Sequence, residues 1–191
     1  FLNPDQTAHI VADRLFVICG AGSNDGDKFI GFAGEEFGLL GAQAWVKAHK
    51  DKLPKIANLF NRDGGPEPPV GISVPQAMYD DFVKISEPIQ KIRPDYPFEV
   101  KVREPRKRPT RMGGTDASVF AIEGVPTLGF TTEDFKGYDF DYGEIWHTER
   151  DLYTKNIPEY QEHTATVTAI IALGVANLDK QLSREGLYTE E

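Results

Sequence analysis

Apolar runs of strand length recur along the chain at Leu15–Cys19, Phe29–Ala33, Ile56–Phe60 and Thr127–Phe130. Three other stretches carry helical spacing. Leu39, Leu40, Ala42, Trp45, Val46 and Ala48 form a broad apolar stripe between Gly38 and His49. Met78, Phe82, Ile85, Ile89 and Ile92 recur at three- and four-residue steps from Gln76 to Ile92, where Pro88 is expected to kink or end the helix. From Pro158 onward, Val167, Ile171, Val175, Leu178 and Leu182 outline a long amphipathic closing helix with a proline near its start. Strands alternating with helices predict an α/β fold, a three-layer sandwich with a mixed, mainly parallel central sheet. The 191 residues fit one domain, 1–191.

A formal charge of −9 and a pI near 5.0 argue against a nucleic-acid or anionic-membrane surface. The dense basic stretch KVREPRKRPTR, from Lys101 to Arg111, is interrupted by Pro105 and Pro109 and reads as a solvated loop. The competing reading has Arg106, Lys107, Arg108 and Arg111 receive an acidic substrate. A single cysteine, Cys19, excludes an internal disulfide and lies in an apolar run. No stretch reaches the roughly 18 apolar residues of a membrane span. The opening residues FLNPDQ are not a signal peptide, and a mature secreted chain would look the same, so the compartment stays open.

In open α/β sheets, ligands gather beyond the carboxyl ends of the strands. Asp25 in GAGSNDG, Glu35 and Glu36 in FIGFAGEEFGLLG, and Asp63 in NLFNRDGG each follow an apolar run, and His147 lies further on in EIWHTERD. Two adjacent glutamates after a buried strand repel each other and lose solvation. A divalent metal resolves both problems: it binds one carboxylate and leaves the other to take a proton from an activated water. Asp, Glu and His donors without a thiolate suit an open zinc site. The plainer alternative is that Glu35 and Glu36 open the following helix and complement its dipole. His147, taken alone, is more often a hydrogen-bonded or surface histidine than a ligand, and His9, His49 and His163 read as structural.

The segments GAGSNDG, FIGFAGEEFGLLGAQAWVKAH, IANLFNRDGG, GGTDASVFAIEGVPTLGF and IWHTERDLY, in this order, resemble the co-catalytic zinc exopeptidases of the bacterial leucyl aminopeptidase and glutamate carboxypeptidase family. The resemblance implies a zinc-exopeptidase (phosphorylase/hydrolase-like) fold, a peptide substrate, and hydrolysis of N-terminal peptide bonds by zinc-bound water. It implies that Asp25 bridges two zinc ions, that Asp63 holds the first, and that Glu36 and His147 hold the second. Glu35 is then the general base, Thr115 and Asp116 lie near the substrate pocket, and Thr148 and Asp151 orient the His147 loop. A secreted or periplasmic setting goes with the same resemblance.

Two departures bear on this. The family's His-x-Asp motif after the first strand is missing, because no histidine occurs between His9 and His49. Two zinc ions follow from the resemblance, but one or none is open for this chain. Only Gly20 to Asp27 separate the first two strands, too few for a parallel crossover. Either Asn24-Asp25-Gly26 makes a hairpin-like turn or the chain is abridged near residues 19–28; close matches on both sides favour abridgement. GGTDAS also lacks the histidine that many relatives place after the aspartate. Two other functions remain: a single-zinc glutaminyl cyclase using Asp25, Glu36 and His147, and a non-catalytic peptidase-like binding domain. Oligomeric state is not legible.

Overall fold

The computed structural model describes residues 15–19 and 28–189. In chain order the elements are β1 (Leu15–Cys19), β2 (Lys28–Ile30), α1 (Leu40–Ala48), β3 (Asn58–Arg62), β4 (Pro69–Val74), α2 (Tyr79–Ile92), β5 (Glu99–Val102), α3 (Ala117–Ile122), β6 (Phe130–Thr132), α4 (Tyr142–Ile145) and α5 (Pro158–Ala176). The strands form two three-stranded ladders, β2-β1-β3 and β5-β4-β6.

Asn58 joins the two ladders. Its side-chain amide donates to the Leu128 carbonyl at 3.1 Å and accepts from the Leu128 N–H at 2.8 Å. One residue on, the Leu59 N–H donates to the Pro126 carbonyl at 2.9 Å. Phe60 and Phe130 then stack at 5.6 Å, so the segment entering β6 runs beside β3 in the same direction. A fully buried amide can stand here because both of its ends are satisfied. The result is one mixed layer in the order β2-β1-β3-β6-β4-β5.

Helices cover both faces. Leu59 packs in a core with Ala42 and Val46 of α1 and Val119 and Phe120 of α3. Its neighbour Phe60 points the other way, into a core with Phe82 and Ile89 of α2 and Val167, Ile171 and Val175 of α5. This is the α/β sandwich that the apolar pattern predicts.

Among the described strand pairs β4–β5 is parallel and β1–β2, β1–β3 and β4–β6 are antiparallel, so the sheet is mixed. Strands β1 and β2 therefore form a hairpin, which accommodates the short Gly20–Asp27 connection without a crossover. Pro88 neither ends nor interrupts α2, which runs on to Ile92. An interior proline costs about 3 kcal/mol, whereas full burial of Phe82 and Ile89 contributes about 1.5–3 kcal/mol each, so packing wins. Leu178 and Leu182 lie beyond the end of α5, although both still pack on its core.

Candidate active site

The Glu35–Glu36 pair sits in a tight reversal between β2 and α1. The Glu35 carbonyl accepts from the Gly38 and Leu39 N–H groups at 3.0 and 2.9 Å. Gly34, Gly38 and Leu39 all take positive φ (70°, 102° and 61°), which for the two glycines is inexpensive. Gly41 lets the start of α1 lie against this reversal: a Cβ there would meet the Ala33 N and O at 2.7 and 2.8 Å. Helix α1 begins only at Leu40 and has no acidic residue in its first turn, so the glutamates do not serve its dipole.

Asp63 follows β3 directly, in a loop pinned by Arg62. That guanidinium donates to the Gly65 and Glu67 carbonyls, each at 2.6 Å. Burial lowers its pKa from the ordinary value, against the opposing charges of Glu67 and Asp63. Arg62 thus holds the loop that bears Asp63 and lines the cleft, a role that no sequence motif marks. Its signal was a lone charge at the end of an apolar run, just before Asp-Gly-Gly.

His147 follows α4 in a left-handed conformation, φ 57°, and stacks on Trp146 with ring centroids 4.5 Å apart. Such a backbone is costly for a residue with a β-carbon and needs a surround that fixes it. Thr148 provides part of it: its hydroxyl donates to the Glu144 carbonyl at 2.8 Å and accepts from the Arg150 N–H. The Asp151 N–H closes the next turn onto the Thr148 carbonyl at 3.2 Å. Asp141 starts α4 by accepting from the Gly143 N–H at 2.8 Å.

These segments meet around a cleft of about 800 Å³. Glu36, Asp63, His147 and Asp151 line it, together with Arg62, Tyr142 and Trp146. Glu35 stands beside Glu36, half-buried and outside the lining; Thr115, Thr148 and the buried Asp116 are also outside it. Asp25 lies outside the described residues. Cys19, the last described residue before it, pairs opposite Asn58, at the other end of β3 from Asp63. Phe130 and Tyr142 reach the cleft, whereas Phe135 and Tyr138 pack against Tyr160. The basic segment does not reach it. Arg108 bonds Ile122, and the Arg103 N–H bonds Val74, at the end of the sheet where β3 begins.

Glu36 Oε2 and His147 Nε2 approach to 3.2 Å, both side chains more than half exposed. Two ligands of one tetrahedral zinc, with bonds of ~2.0–2.2 Å, stand ~3.3–3.6 Å apart, slightly more than this approach. Among the described residues no three His, Cys, Asp or Glu side chains gather as a metal-binding group.

The chain is similar to the peptidase M28 precursor from Shewanella amazonensis SB2B, with TM-score 0.58 and 24% identity over 80% of this chain and 31% of that one. It is similar to Legionella pneumophila LapA, with TM-score 0.50 and 16% identity over 77% and 39%. For BSAP, a zinc aminopeptidase from Bacillus subtilis, the values are 0.48 and 19% over 83% and 37%. The chain thus spans between 31% and 39% of the length of these structures. No curated protein sequence matches it significantly. Peptidase family M28 matches residues 22–171, through both glutamates, Asp63 and His147, and the chain belongs to that family.

Proposed function

We propose that this chain carries the catalytic cleft of a metal-dependent aminopeptidase that hydrolyses N-terminal peptide bonds. The observation that supports it most is the approach of Glu36 and His147, which come from opposite ends of the family match and meet at the cleft. An exposed carboxylate–imidazole pair contributes at most about 1 kcal/mol to stability, too little to explain holding His147 in a left-handed backbone. Binding a cation explains it better.

In this reading Glu36 and His147 hold zinc, and Asp63 stands by as a carboxylate in the same cleft. Zinc, when bound, supplies positive charge that polarises the scissile carbonyl and acidifies water. Glu35 accepts the proton from the attacking water and passes it to the leaving amine. Arg62 fixes the Asp63–Glu67 loop, and Thr148 fixes the turn after His147. Asp25 enters through the resemblance alone.

The test is turnover of an aminoacyl-nitroanilide by Glu35→Gln with zinc measured on the same sample. The proposal predicts unchanged zinc and a fall in kcat of about 10²–10⁴. Wild-type turnover in the variant would remove Glu35 as the base. A zinc-loaded wild type that cyclises N-terminal glutamine and releases no residue would indicate cyclase chemistry instead.

A further inference from the structure

At the far end of the sheet from the cleft, four arginines surround one tyrosine. Arg103 follows β5, Arg106 and Arg108 lie in the next loop, and Arg184 comes from the segment after α5. The backbone of Arg106 pairs with the closing segment: its N–H donates to Leu187 at 3.4 Å, and its carbonyl accepts from Thr189 at 2.9 Å. This brings Tyr188 into the group, with its hydroxyl 3.4 Å from the Ala121 and Val125 carbonyls. All four guanidiniums act on that hydroxyl, opposing the upward push of burial on its pKa. Burial and then the charge of Arg106 lower the pKa of Arg103.

Three of the four are held in place by backbone carbonyls. Arg108 donates twice to Ile122, at 3.0 and 2.5 Å, and lies against Gly124, where a Cβ would stand 3.4 Å from its Cζ. Arg184 donates to Gly124 at 3.1 Å and to Leu53, Pro54 and Ile56 at 3.2 Å each. Arg103 donates to Glu104 at 3.1 Å and Leu187 at 3.4 Å, while its Nε is buried with no hydrogen-bond partner. Carbonyl dipoles orient these groups without cancelling a full charge. Among the described residues, none of the four joins a salt bridge. A chain of net charge −9 thus concentrates unneutralised cations at one place.

We propose that Arg103, Arg106, Arg108 and Arg184 form an anion site for a multiply charged tetrahedral oxyanion, a phosphate or phosphoryl group. Preoriented guanidinium forks suit phosphate oxygens, and a dianion brings more charge and more acceptor oxygens to several forks than a single carboxylate does. The site is independent of the hydrolytic reading, because it shares no residue with the cleft.

The test is a titration of the isotopically labelled full chain with inorganic phosphate, with ionic strength held constant by chloride. The Arg103 and Arg108 Nε–H resonances should shift saturably. Arg106→Gln should weaken the apparent affinity about fivefold or more while leaving the fold intact, because that guanidinium supports no carbonyl. Shifts confined to residues 61–65 and 146–148 would place phosphate in the cleft and overturn the proposal. So would equal shifts with chloride alone, or an unchanged affinity in Arg106→Gln. Sedimentation with phosphatidylglycerol vesicles, competed by free phosphate, would identify a lipid headgroup as the source; titration without sedimentation would identify a soluble phosphate.

Discussion

At the residue scale, His147 carries a chemical group on a backbone that stability alone would not select. Its left-handed backbone favours glycine or asparagine, yet the position carries an imidazole that meets Glu36 at 3.2 Å. His147→Asn should therefore keep or slightly raise stability, within about 1 kcal/mol in a urea titration, while zinc binding falls at least tenfold. Loss of the fold together with the metal would make His147 a structural residue. GEEFGLLG, NRDGG and WHTERD mark the candidate residues in the sequence, and Glu36, Asp63 and His147 from these segments line one cleft. Arg62 carries no such mark, because its role lies in two carbonyls, Gly65 and Glu67, whose approach no residue-type pattern encodes.

The elements divide by how local their causes are. Helices α1, α2 and α5 follow from apolar stripes and were legible to within a few residues. Strands β4 and β5 were not, since Pro69–Val74 begins with proline and contains glycine, and Glu99–Val102 alternates charge with valine at an exposed edge. Pairing direction was also hidden. A strand's apolar run is the same whichever way its neighbour runs, and the register between β1 and β3 is fixed by tertiary contacts. Gly41 carries a prediction at this scale. In Gly41→Ala the new Cβ must displace the Ala33 backbone, so the reversal bearing Glu35 and Glu36 shifts. The expected cost is about 1–3 kcal/mol in unfolding free energy, with weaker zinc binding in the folded variant. A variant as stable as wild type would show that α1 can move away freely.

Across the whole molecule, α5 ties the β4 side of the sheet to the loop that leads toward His147. Buried His163 has Nε2 3.0 Å from the Pro69 carbonyl and stacks on Tyr96 at 3.9 Å, while Tyr160 donates to Asp134 at 2.6 Å. Burial lowers the His163 pKa below 6.5; the nearby Arg93 and Lys136 act in the same direction and Asp95 against it. The unfolded chain therefore takes up this proton first. Its contribution to stability is complete above about pH 6.5 and declines as pH falls below that toward the lower folded value. Urea midpoints at pH 7.5 and 5.5 should differ more for wild type than for His163→Gln, and equal differences would exclude this histidine as a cause.

The central claim is that Glu36 and His147 form a zinc site, and zinc content per chain tests it most directly. Elemental analysis of wild type, Glu36→Gln and His147→Asn, each equilibrated with equimolar zinc and then desalted, should find about one equivalent or more in wild type. Both variants should retain under roughly a tenth of that, with thermal midpoints equal to that of the zinc-free wild type. Equal zinc in all three proteins would contradict the assignment and remove the metal from this pair.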